Sequence, residues 1–125
     1  MGLAAIPILR IFDEDRAREF YLEFLGFHLD WEHRFEAAAP LYMQVSRDGM
    51  RLHLTQHHGD CTPGAKVFVE TDRIDELQRE LAGKPNRNNR PGIQEAPWGD
   101  RILEVIDPFA NRLLFNETGR GADGG

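Results

Sequence analysis

Five histidines and one cysteine are the side chains best able to hold a metal or start covalent chemistry, and their spacing restricts both. His57 and His58 are adjacent, so in an extended connector they point to opposite sides and make a poor bidentate site. His28 and His33 flank an acidic strand and read as surface positions. Cys61 lies in a loop bounded by Gly and Pro with no neighbour that lowers its pKa, which argues against a nucleophile. No Ser-His-Asp arrangement, phosphate loop or nucleotide fingerprint appears. His53 remains, on a strand where it shares one face with Arg51 and Thr55. Stacking is the other available chemistry. Two aromatic faces can sandwich a heteroaromatic ring, and a nearby carboxylate such as Glu32, Glu36, Glu95 or Asp100 can attract an amine on it.

The elements that must position these groups occur twice. Val45-Ser46-Arg47-Asp48-Gly49-Met50-Arg51-Leu52-His53-Leu54 reads as strand, tight turn and strand. It is echoed by Val105-Ile106-Asp107-Pro108-Phe109-Ala110-Asn111-Arg112-Leu113-Leu114. Upstream, Arg10-Ile11-Phe12-Asp13 opens a helix that stops at Gly26, and Val69-Glu70-Thr71-Asp72 opens one that stops at Gly83. Such a repeat implies two similar halves with a shared cavity where they meet. Each half reads as strand, helix and three strands. The first has a strand over 4–12, a helix capped by Asp13, a strand over 27–35, and a hairpin of 41–45 and 51–56 around Asp48-Gly49. In that helix Ala17, Phe20, Tyr21, Phe24 and Leu25 make one apolar stripe. The second half has a strand over 65–70, a helix begun by Asp72 and bearing Ile74, Leu77, Leu81 and Ala82, and strands over 93–96, 101–105 and 112–115. Residues 84–92 read as a mobile loop and 118–125 as a disordered tail. The expected fold is α+β: two tandem βαβββ modules, about 4–58 and 64–117, in a single domain over 1–117. Their strands would form a curved mixed sheet around a cavity, with the helices on its outer face.

Alternation along the strands divides each into two sets. Leu9 with Ile11, Leu52 with Leu54, Val67 with Val69, and Leu113 with Phe115 suit the helix side. The cavity side then carries Ile6, Ile8 and Arg10; Arg51, His53 and Thr55; Lys66, Phe68 and Glu70; Arg112, Leu114 and Asn116. Tyr42, Gln44, Ile102 and Glu104 join them by the same parity. A face left plainly to water would not hold Ile6, Ile8, Phe68, Ile102 and Leu114, so it is expected to be a ligand pocket or a subunit interface.

Composition sets the outer bounds. With 125 residues, 41% hydrophobic and 29% charged, the chain can build one core and not two independent ones. No apolar run is long enough to span a membrane, and no basic segment precedes the short apolar N-terminus as in a secretory signal. The net charge of -6 argues against nucleic acid and favours cationic ligands over anionic ones. A lone Cys61 can make no internal disulfide, which suits the cytoplasm.

Three further patterns carry a family resemblance: Phe20-Tyr21-x-x-x-Leu25-Gly26-Phe27 at the end of the first helix, Asp72-Arg73-Ile74-Asp75-Glu76-Leu77 in the second, and Pro97-Trp98-Gly99 followed by Asp107-Pro108-x-x-Asn111. Over about 4–117 the chain resembles the vicinal oxygen chelate superfamily of glyoxalases, extradiol dioxygenases and bleomycin resistance proteins. One departure is Ala110, where the family usually has Gly. Metal-using members place ligands on the first and fourth strands of each module, slots that fall here on Ile6, His53, Lys66 and Leu114. Only His53 is a metal ligand by chemistry, so the resemblance implies no metal and no cofactor. It points instead to the bleomycin resistance group, homodimers that sequester a cationic, flat-ended antibiotic in interface clefts. By that likeness Trp98 stacks on the ligand, Phe35 is the opposing aromatic, and Thr55 is a small hydroxyl in the cleft. Tyr42 and His53 add polar contacts, Ile6, Ile8, Phe68 and Leu114 the apolar wall, and Glu104 a carboxylate. Two alternatives stand beside this reading. One is an enzyme, with an atypical metal set such as His53, Glu70 and Glu104 or with His53 as general base near Glu104. The other is a regulatory module whose cavity is vestigial.

Overall fold

Alternating apolar residues and two turn signatures build the same four-stranded sheet twice. The structure, a computed structural model, describes residues 2–86, 89 and 91–119. In the first module β1 (Ile8–Arg10), β2 (His28–His33), β3 (Tyr42–Arg47) and β4 (Met50–Thr55) order as β1-β4-β3-β2. In the second, β5 (Lys66–Glu70), β6 (Gln94–Glu95), β7 (Arg101–Ile106) and β8 (Arg112–Glu117) order as β5-β8-β7-β6. The first strand of each module pairs parallel with the fourth, and the other pairs are antiparallel. The fold is α+β with two tandem modules, and its strands form two four-stranded sheets, not one continuous sheet. These correspond to two compact units, Met1–Ala65 with Asp107–Asn111, and Lys66–Ile106 with Arg112–Gly125.

Helix α1 (Glu14–Arg18) starts as its sequence dictates: Asp13, extended at φ -132°, accepts the Arg16 amide, and Glu14 and Asp15 occupy the positive end of the dipole. It continues without a break as a π-helical segment, Glu19–Phe24. Ala17, Phe20, Tyr21, Phe24 and Leu25 are all buried, so the predicted stripe is the core of the first unit together with Leu9, Leu52 and Leu54. Gly26, at φ 72°, makes the stop, and Asp48 and Gly49, at φ 51° and 84°, make the hairpin turn.

Helix α2 (Ile74–Ala82) begins differently from the expectation, which gave the cap to Asp72. Arg73 holds the cap position with no side-chain bond. The Ile74 amide is met by Glu117 from β8 at 3.3 Å and the Arg73 amide by the Thr71 hydroxyl at 3.1 Å. Asp75 grips Arg101 of β7 through both oxygens at 2.8 Å. One carboxylate from the sheet, Glu117, meets the first helical amide, and Asp72 is left in solvent. Of the helix's apolar residues, Ile74 and Leu81 are buried and Ala82 is exposed.

The turn after β7 is held by one buried carboxylate. Asp107 Oδ1 accepts the amides of Phe109 and Asn111, both at 2.8 Å, and Oδ2 accepts the Tyr21 hydroxyl at 2.6 Å and the Asn111 side-chain amide at 2.8 Å. Burial holds this carboxyl above its ordinary range despite its four donors, and pushes Tyr21 up as well. Asn111 also donates to the Arg10 carbonyl at 2.7 Å and accepts the Ala65 amide at 3.1 Å. Ala110 sits in the left-handed region at φ 70°, where a β-carbon is strained. Ala110→Gly should therefore raise unfolding stability by about 0.5–1 kcal/mol, the relief of strain less the added freedom of the unfolded chain. Urea midpoints of the two proteins test this.

Candidate functional site

The open face of the first sheet carries an aromatic and hydrogen-bonded cluster centred on His53. Register places Ile8, His53, Gln44 and Trp31 in one row across β1, β4, β3 and β2, and Arg10, Thr55, Tyr42 and His33 in the next. Trp31 stacks nearly parallel on Tyr42, with centroids 6.0 Å apart and planes 8° from parallel, and meets His53 edge-on at 5.3 Å. Trp31 is not among the residues that the sequence pattern offers for the site. The pairing slips between Leu29 and Trp31, so Asp30 is the extra residue of a β-bulge. The bulge brings Asp30 and Trp31, which strict alternation assigns to opposite faces, onto the same one. Asp30 accepts from Gln44 and Ser46, both at 2.9 Å, and Gln44's amide, ahead of Ser46's hydroxyl, holds its carboxyl below the usual range.

These contacts fix the proton on His53. An ionised Asp30 only accepts, so Gln44 must turn its NH2 toward it and its Oε1 toward His53 Nε2, 3.0 Å away. Nε2 then carries the hydrogen, and Nδ1 accepts the Tyr42 hydroxyl at 2.7 Å. Both ring nitrogens are committed. Burial, with Arg51 assisting, holds the imidazole below 6.5, as this neutral form requires. The unfolded chain takes up its His53 proton first as pH falls, so this group's stabilising contribution is complete above about 6.5 and declines below it, down to the folded-state pKa. The stability gap between the wild type and His53→Gln should be widest above about pH 7 and narrow toward pH 5, which urea melts at a series of pH values would show.

Thr55 is fully buried, and its hydroxyl donates to Asp60 at 2.7 Å while accepting the His57 amide at 3.0 Å. It holds the connector in place and has no proton to offer a ligand. Phe35 is 80% exposed, edge-on to His33 at 5.0 Å, in an open depression of about 370 Å³ formed by residues 32–37. Glu32, a candidate for holding an amine, is taken up by Arg18 at 3.1 Å, and Arg18 also binds Glu14. Ile6 is half-buried; Ile8, and not Ile6, is the residue of β1 paired with His53.

On the second sheet the row Phe68, Leu114, Glu104 crosses β5, β8 and β7. Phe68 is 57% exposed, and Glu104 lies between Lys66 at 3.5 Å and Arg112 at 4.0 Å. Trp98 is 59% exposed at the tip of the β6–β7 turn, where Gly99 has φ 97° and the Ala96 amide donates to the Asp100 carbonyl at 2.8 Å. Asp100 accepts the Gly119 amide at 2.9 Å and Asn116 at 3.0 Å, and its carboxyl is held down by the Gly119 amide first, then by Asn116 and the Trp98 indole. Gly119 lies so close that a β-carbon there would meet the Gly99 carbonyl oxygen at 2.3 Å. The rest of the expected tail, 120–125, and residues 87, 88 and 90 of the expected mobile loop lie outside the described residues.

Among the described residues no three His, Cys, Asp or Glu side chains cluster to hold a metal ion. His53 spends both nitrogens on Gln44 and Tyr42, and the remaining slots are two hydrocarbons and a lysine, so the donor set does not fit a divalent metal.

A family profile described as glyoxalase superfamily protein matches residues 3–122, nearly the whole chain. The chain belongs to the glyoxalase superfamily. A comparison with the curated proteins finds no match. Among solved structures, a bleomycin-binding protein complexed with bleomycin superposes at a TM-score of 0.68 and 22% identity, over 94% of this chain and 99% of that one. TnmS3, an antibiotic binding protein from Streptomyces sp. CB03234, gives 0.65 and 21%, over 95% and 99%. A bleomycin resistance determinant encoded on the transposon Tn5 gives 0.69 and 19%, over 94% and 98%. At these identities the likeness establishes the fold that this superfamily member shares with them. Among the described residues no helix is long and apolar enough to cross a membrane.

Proposed function

We propose that this protein binds and sequesters an aromatic, cationic small molecule of the antibiotic type, as a cytoplasmic homodimer and without a metal. The observation that carries the reading is the His53 cluster: an open sheet face with a half-exposed indole stacked on a phenol, and an imidazole whose two nitrogens are both engaged. That is a surface for holding a flat molecule. The one lone pair of His53 already accepts the Tyr42 hydroxyl, so a ligand proton does not reach it directly. On the first unit the proposed ligand contacts are Trp31, Tyr42 and His53 with Ile8 and Ile6, and Phe35 as a further aromatic. On the second unit they are Trp98, Phe68, Leu114 and Glu104. Thr55 serves this surface only by anchoring it. The net charge of -6 favours a cation, and the similar structures include proteins described as binding bleomycin and other antibiotics. Dimerisation would cover apolar groups left in solvent, such as Ile8, 39% exposed, and Phe68.

Titration with bleomycin while following tryptophan fluorescence tests the reading. Quenching that saturates at micromolar drug is the expected result, with light scattering reporting twice the chain mass. An unchanged spectrum at that concentration would remove bleomycin as the ligand.

A further inference from the structure

We infer that the hydrogen-bond chain from Asp30 through Gln44 and His53 sets the direction of the Tyr42 hydroxyl, so that its oxygen can only accept from a ligand. The site then selects aromatic molecules that present an N–H donor at Tyr42 and disfavours those that present only an acceptor there. The inference rests on the reading that this face binds the ligand, and it adds the chemical class that the face admits.

Each link constrains the next. Ser46 and Gln44 both donate to Asp30, which leaves the Gln44 carbonyl oxygen facing His53. His53 Nε2–H donates to that oxygen, so its Nδ1 lone pair faces Tyr42 and takes the phenolic proton at 2.7 Å. With its one hydrogen spent, the Tyr42 oxygen keeps only lone pairs for a ligand. Trp31, stacked on the Tyr42 ring and 43% exposed, supplies the adjoining aromatic surface. A ligand acceptor placed at Tyr42 would face lone pair against lone pair and lose its bond to water, the situation in which polar sites discriminate most strongly. The arrangement also explains the bulge, because only the extra residue lets Asp30 reach Gln44 beside Trp31.

The test uses two neutral probes of one shape, indole, which has an N–H donor, and benzofuran, which has an oxygen acceptor in its place. NMR of the labelled full-length protein follows both probes at the Tyr42 and Trp31 signals and reads the His53 tautomer from its ring nitrogens. Expected are the Nε2–H tautomer, indole binding about tenfold tighter than benzofuran, and loss of that preference in Tyr42→Phe. Gln44→Leu, which cuts the chain while leaving Tyr42 in place, should also lower it. An Nδ1–H tautomer in the wild type overturns the inference whatever the probes do. Equal binding of the two probes, or a preference unchanged in Tyr42→Phe, overturns it as well. If neither probe disturbs this face while the tautomer is as expected, the reading of the face as a ligand surface is what fails, and the selectivity falls with it.

Discussion

Asp107→Ala is expected to cost about 4 kcal/mol of folding stability, most of the stability of a domain at the low end of the ordinary range. One carboxylate satisfies the Tyr21 hydroxyl, the Asn111 side chain and the amides of Phe109 and Asn111, in a site that is 3% exposed. Removing it leaves these donors buried without an acceptor, and each such group typically costs about 1–3 kcal/mol, partly recovered by relaxation. Tyr21→Phe removes one donor together with its bond and should cost only about 1 kcal/mol. Chemical denaturation of the two variants measures both. A loss below about 1 kcal/mol in Asp107→Ala would show that the turn is held by its strands and not by this carboxylate.

Trp98→Ala is expected to weaken bleomycin binding about 30-fold while leaving stability nearly unchanged. The indole is 59% exposed, so folding gains little from it. A large aromatic anchor at a binding surface is commonly worth about 2 kcal/mol or more when truncated. Trp98→Phe should recover much of the affinity, since a ring face remains for stacking. Trp31→Ala provides the comparison. It removes the partner of Tyr42 and His53 on the other sheet, and with Trp31 and Trp98 the only two tryptophans, each variant reports fluorescence from the other. Calorimetric titration of the three variants would measure the losses. Unaltered affinity in Trp98→Ala would take this residue out of the site.

Much of the fold was legible because it follows from local patterns. The Asp48-Gly49 dipeptide, the Asp13 cap, the Gly26 stop and the stripe from Ala17 to Leu25 each act through their own few residues, and each appears where the sequence places it. The repeat was legible for the same reason, and it returns as two sheets of one strand order. The start of α2 was not. Asp72 has the residue type of a cap, yet Arg73 holds the cap position and Glu117, distant in sequence, accepts the first helical amide. The candidate site divides in the same way. Parity put His53, Tyr42, Gln44, Phe68, Leu114 and Glu104 on the open faces, as the registers have them. The resemblance offered Thr55 as a hydroxyl in the cleft, whereas Asp60 takes that hydroxyl, and parity left Trp31 out.

What the sequence determines by itself is the alternation of each strand and the places where the chain turns. Those are properties of single residues and their nearest neighbours, and they hold in any packing of the chain. The bulge at Asp30 is a decision of the tertiary structure. It depends on β2 finding β3, and on Gln44 and Ser46 being there to draw Asp30 to their side. The protonation of His53 is decided in the same way, because the tautomer is chosen by partners on neighbouring strands and not by the imidazole. One added residue in one strand thereby places a tryptophan beside a histidine whose two nitrogens are already engaged.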